Sequence, residues 1–118
     1  LRMRQWLQKG GEYIEVVFAN NDDMALGAID AWLEAGLSLE SLPFIVGVDA
    51  TPPALEALQD GTLKGTVRND AVGLAEGLMQ LITSFSDGYD ISSTVELTDE
   101  HYLWLQYEPV TLQTLQNK

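Results

Sequence analysis

Three polar residues in this chain each stand at the end of a short apolar run. Asn21 follows EVVFAN, Asp49 ends FIVGVD, and Asn69 follows the run around TVR. Each is followed directly by a segment with helical spacing. An ionised Asp accepts through two oxygens, whereas an Asn side chain both donates and accepts. Such a trio matches hydroxyl groups, which also do both, so it suits a sugar or polyol better than a phosphate. Phosphate recognition would call for Arg, Lys or a glycine-rich nest, and only Arg68 is near. The same positions have a second reading, because Asn and Asp are favoured helix N-caps. Asp22 and Asp70 look like better caps than their neighbours. No histidine or cysteine accompanies the trio, and an acid flanked by two amides does not make a hydrolytic carboxylate pair, so no enzyme chemistry is expected.

The elements that would carry these residues alternate. A helix is expected over residues 1–10, with Leu1, Trp6 and Leu7 apolar and Gly10 and Gly11 as its stop. Residues 15–22 read as a buried strand with a polar tip, rich in β-branched and aromatic side chains. Met24, Leu26, Ala28, Ile29, Trp32 and Leu33 then gather on one side of a helix that Gly36 closes. FIVGVDA reads as a second strand. Pro52 and Pro53 open the next helix, where a missing N–H costs nothing, and Gly61 ends it. A short strand at 64–68 leads to a longer helix with Val72, Ala75, Leu78, Met79, Ile82 and Phe85 on its apolar side and Asp87-Gly88 as its stop. Beyond it, two extended runs around a turn at 98–101 suggest a hairpin. The tail VTLQTLQNK is assigned no element.

Alternating strands and helices imply an α/β fold with parallel strands joined by right-handed crossovers, so that successive strand ends share one edge of the sheet. Ligands of open α/β sheets bind at that edge. If the three strands are neighbours, Asn21, Asp49 and Asn69 converge there.

Composition narrows the partners. The 118 residues carry 6 basic and 18 acidic side chains, a formal charge of −12, which repels nucleic acid and anionic membranes. With 46% hydrophobic and 20% charged residues the chain has the composition of a globular protein. There is no cysteine and one histidine, which excludes a disulfide framework and a thiolate or histidine-rich metal site. No run is long enough to span a membrane, and LRMRQWLQKGG lacks the apolar centre of a secretion signal. The opening, which has no methionine and resembles the middle of an amphipathic helix, suggests a fragment or processed form. Trp32 is expected in a core, Tyr102 and Trp104 to pack, and His101 to be exposed without a role. Glu15, at a strand start, could be a cap or a calcium ligand.

The segments EVVFANNDDMALGAIDA, VGVDATPPALEALQDGTLKGTVRNDA and Tyr107-Glu108-Pro109-Val110 resemble the galactose/glucose-binding proteins, type I periplasmic binding proteins that feed ABC sugar importers. The likeness runs through almost the entire chain, which corresponds to little more than the final third of such a protein. It implies a Rossmann-like lobe, partial in this chain, one of two that close on a sugar. Asn21, Asp49 and Asn69 would be sugar-binding residues, and Glu15 a ligand of a structural calcium ion; no other cofactor is implied. Residues 1–69 would belong to the second lobe, 70–106 would pack with the first, and 107–118 would return to the second. Asn69, Asp70, Tyr107, Glu108 and Pro109 would form the hinge. The implied partners are a galactose-like or glucose-like monosaccharide and the membrane permease of an ABC importer. The implied location is extracytoplasmic, either periplasmic or as a cell-surface lipoprotein. Alone, the 118 residues would associate or swap elements. The competing reading is the effector-binding portion of a lac-repressor-type transcription regulator, which shares the fold.

Overall fold

The computed structural model describes residues 2–91 and 94–117. Its helices are α1 (Arg2–Leu7), α2 (Asp22–Glu34), α3 (Pro52–Gln59), α4 (Ala71–Asp87) and α5 (Leu112–Gln116); its strands are β1 (Val16–Phe18), β2 (Phe44–Val46), β3 (Thr66–Arg68) and β4 (Glu108–Val110). They form two compact units, one of Leu1–Arg68 with Glu108–Lys118 and one of Asn69–Tyr107.

In the first unit β1 and β2 pair in parallel with Val17 opposite Ile45. β3 and β4 pair antiparallel, Thr66 opposite Val110 and Arg68 opposite Glu108. A parallel bridge between Val46 and Gly65 joins the two pairs. Around it, the N–H of Lys64 donates to Ile45 O at 2.9 Å, that of Gly47 to Gly65 O at 2.9 Å and that of Asp49 to Val67 O at 2.7 Å. The strands therefore lie in the order β1, β2, β3, β4, with the first three parallel. Packed on them is a core around Trp32, Ile45, Leu58 and Leu63. Trp32, only 1% exposed, also satisfies its indole, donating Nε1–H to Ser38 O at 3.2 Å.

Turn chemistry follows the residue types. Gly36, Gly61 and Gly88 follow α2, α3 and α4 with φ of 75°, 75° and 71°, the left-handed conformation that costs glycine least. Proline occupies the first turn of α3. The helix α5, to which the sequence assigned nothing, is nucleated by a reciprocal capping box: Thr111 Oγ1 accepts from the Thr114 N–H, and Thr114 Oγ1 accepts from that of Thr111.

Several expectations are corrected. The strand at Val16–Phe18 is not buried: Val16 is 48% and Phe18 85% exposed, both on one face of β1, while Val17 on the other face is partly buried. On α2, Met24 and Leu33 are exposed, and small residues, Ala25, Ala28 and Ala31, fill the buried side with Ile29 and Trp32. The first helix ends at Leu7, and Trp6 is exposed.

The second unit consists of α4 and the segment after it. The helix buries Gly77 and Ser84. A Cβ at Gly77 would lie 2.5 Å from Leu103 Cδ2, and Ser84 Oγ lies 2.7 Å from Thr94 Oγ1. This narrow side packs on residues 94–103, while the apolar side read from the sequence, including Val72, Leu78, Met79, Ile82 and Phe85, is exposed. The anticipated hairpin reduces to one bridge, Thr98 with Tyr102, closed by the Thr98 N–H to Tyr102 O bond of 2.7 Å. Its flanks make no ladder among the described residues.

Candidate functional site

The carboxyl ends of β1 and β2 lie side by side. Past β1, the Ala19 N–H donates to Val46 O at 2.9 Å and the Asp22 N–H to Val48 O at 2.8 Å, so the chain stays paired up to the start of α2. Asn21 sits there with extended backbone, and its Oδ1 accepts the Met24 N–H at 2.9 Å. It is therefore the N-cap of α2, a role the sequence had favoured for Asp22. One orphan donor of the helix is satisfied by a side chain that still carries an amide NH2.

Asp22 instead turns inward. It is 0% exposed, and each contact on its carboxylate is a donor. Thr66 donates its hydroxyl to Oδ1 at 2.6 Å; Thr51 donates its N–H at 2.8 Å and its hydroxyl at 3.2 Å to Oδ2. The carboxylate thus ties the starts of α2 and α3 to β3. Its packing also explains Gly47, whose added Cβ would run into Asp22 Oδ1. Asp22, Thr51 and Thr66 escaped sequence reading because partners 29 and 44 positions away leave no local pattern.

Asp49 occupies the bend between β2 and α3. Its φ is 114° and that of Ala50 is 52°, both in the region that L side chains rarely enter. Three successive amides hold this bend: Asp49 N–H to Val67 O at 2.7 Å, Ala50 N–H to Thr66 Oγ1 at 3.2 Å, and Thr51 N–H to Asp22 Oδ2 at 2.8 Å. Non-glycine residues in such conformations cost about 1–3 kcal/mol each and persist only where the surroundings enforce them. Asp49 itself is exposed.

Asn69 directly follows the last residue of β3 and is the first residue of the second unit, exposed, with its carbonyl accepting the Ala71 N–H at 2.9 Å. Asp70 caps α4 through the Gly73 N–H at 2.8 Å. The structure thus brings Asn21 and Asp49 to the ends of adjacent parallel strands within one unit; Asn69 belongs to the other. Tyr107 is the last residue of the second unit, and Glu108 and Pro109 open β4. Glu15 is exposed at the start of β1, and its carbonyl accepts the Phe44 N–H at 2.8 Å. No group of three or more His, Asp or Glu side chains able to hold a metal ion occurs among the described residues. His101, Tyr102 and Trp104 are exposed in the second unit, with Tyr102 and Trp104 ring centroids 6.0 Å apart.

Comparison with known proteins gives a consistent set. The model of a periplasmic binding protein domain matches residues 1–90. The chain is 45% identical over 75 residues to the D-galactose/methyl-galactoside binding periplasmic protein MglB of Haemophilus influenzae, spanning 64% of this chain and 22% of that protein. It is 41% identical over 78 residues to a xylitol-binding protein of Mycolicibacterium smegmatis, spanning 65% of this chain and 22% of that one. The solved structure of an ABC transporter solute binding protein from Bacillus halodurans C-125 with bound myo-inositol superposes with a TM-score of 0.78 at 36% identity, over 98% of this chain and 36% of that one. The chain thus spans about a third or less of the length of these relatives.

Proposed function

Because this chain belongs to the periplasmic binding protein domain family, we propose that it supplies part of a solute-binding protein that captures a monosaccharide, or a polyol of similar hydroxyl pattern, for import by an ABC transporter. The observation that carries this reading is the display of Asp49. Asp49 is an exposed residue on an enforced left-handed bend at the carboxyl end of β2, beside the end of β1 that holds Asn21. A rigid acceptor of this kind suits adjacent ring hydroxyls, which donate to both of its oxygens.

In this reading Asp49 is the principal acceptor. Asn21 contributes its amide while its Oδ1 caps α2, and Asn69 is a further hydrogen-bonding residue for the ligand. Asn69, Asp70, Tyr107, Glu108 and Pro109 are the hinge, since both passages of the chain between the units occur there. The protein binds without making or breaking a bond, requires no cofactor, and delivers its ligand to a permease, which places it outside the cytoplasm.

The relatives bind D-galactose and methyl-galactoside, xylitol, and myo-inositol, which defines the first ligands to try. The test is a calorimetric titration of the protein, at the full length of its relatives, with D-galactose, D-glucose, xylitol and myo-inositol. Micromolar or tighter binding of at least one is expected. Absence of heat with all four would count against the reading.

A further inference from the structure

We propose that the buried carboxylate of Asp22 is a positioning residue for ligand capture, holding Asp49 in the conformation in which it meets the ligand. This inference rests on the sugar-capture reading and assigns a role to a residue that touches no ligand in it.

Asp49 and Ala50 are consecutive non-glycine residues at φ of 114° and 52°. A free chain would relax both toward negative φ. Three amide hydrogen bonds oppose this relaxation, and Asp22 controls two of them. It accepts the Thr51 N–H directly at 2.8 Å. It also accepts the Thr66 hydroxyl proton at 2.6 Å, which turns the Thr66 lone pairs toward the Ala50 N–H at 3.2 Å. The third, from Asp49 to Val67 O, belongs to the sheet.

Asp22 and Thr66 are buried, where a hydrogen bond is electrostatically stronger and an unmet polar group costs more. Among the described residues no buried side-chain N or O lacks a partner. Asp22 therefore spans from the end of β1 to the turn after β2 and to β3, and fixes the bend from behind. A cap at the helix terminus would need none of these contacts, and Asn21 already provides the cap.

Asp22→Asn keeps the shape of the side chain and changes one donor relation. The amide oxygen must face the Thr51 N–H, which can only donate, so the NH2 faces Thr66 and leaves the Thr66 hydroxyl proton without an acceptor. The bend then loses the support that offsets its strain.

The experiment is ligand titration of wild type, D22N, D49A and D22N/D49A, with whichever of D-galactose, D-glucose, xylitol and myo-inositol binds wild type most tightly, alongside amide hydrogen exchange. D22N is expected to weaken binding roughly 5- to 100-fold, the range that loss of one enforced conformation implies. In the D49A background the same substitution should change affinity by no more than about twofold, since its effect passes through Asp49. Exchange of the Ala50 and Thr51 amides should accelerate in D22N without ligand.

If D22N does not fold, T66V carries the same prediction, and T66S, which retains the hydroxyl, should restore affinity. Wild-type affinity in D22N, or an undiminished D22N effect in D49A, would overturn the inference. Unchanged Ala50 and Thr51 exchange would overturn it even if no ligand is found. Failure of wild type to bind all four probes would instead reject the functional reading.

Discussion

Arg68 and Glu108 face each other as register partners at the ends of β3 and β4, and Arg68 Nη1 approaches Glu108 Oε2 at 3.3 Å. They are the last and first residues of the first unit on either side of Asn69–Tyr107. The pair therefore sits at the base of both passages of the chain. Its side chains are 36% and 61% exposed, so solvent screening keeps its contribution small. Arg68→Gln is expected to lower stability by less than about 1 kcal/mol in denaturant unfolding. A larger loss would mean that the pair organises the strand ends rather than decorating them.

Asn21 offers a way to separate capping from binding. Asn21→Ala removes the acceptor for the Met24 N–H and should cost about 1 kcal/mol of stability. Asn21→Asp keeps that acceptor and loses only the amide donors. It should leave stability within about 0.5 kcal/mol of wild type while weakening ligand binding about tenfold. Equal affinity for the Asp variant and wild type, measured by calorimetry, would reduce Asn21 to a cap.

Gly47 is held to its residue type by space. A Cβ there would run into Asp22 Oδ1 and lie 3.3 Å from Ala25 Cβ, both on buried residues. Gly47→Ala should destabilise the first unit by about 1–3 kcal/mol, read from its thermal midpoint. A neutral result would show that the Asp22 network moves aside at little cost.

The 118 residues alone expose Phe18 at 85%, Phe44 at 55% and the α4 residues Leu78, Met79 and Phe85 at 55%, 60% and 72%. Exposed strand edges and apolar faces of this kind favour association. Sedimentation velocity on the isolated chain should show species larger than a monomer as concentration rises, despite the charge of −12. A single monomeric boundary at high concentration would contradict this.

Local chemistry was readable in the sequence, and tertiary partnership was not. The alternation of strands and helices, the proline start of α3 and the glycines at 36, 61 and 88 all act within a few residues, and the structure follows them. Apolar periodicity, by contrast, reports that a face wants cover without saying what covers it. The α4 stripe and Phe18 are apolar for that reason and are nevertheless exposed. Asp22 is the sharpest case: beside Asn21 it looks like the better cap, and only contacts with Thr51 and Thr66 reveal the buried node. The hairpin around residues 98–101 kept its turn and lost its ladder, since turn residues specify a reversal and not the pairing beyond it.

Whether Asp49 takes the ligand's hydroxyls is read from calorimetric titration of Asp49→Ala in protein of the relatives' full length. A loss of about 2–4 kcal/mol in binding free energy is expected, because the ligand's hydroxyls lose their charged acceptor. Affinity equal to wild type would contradict it.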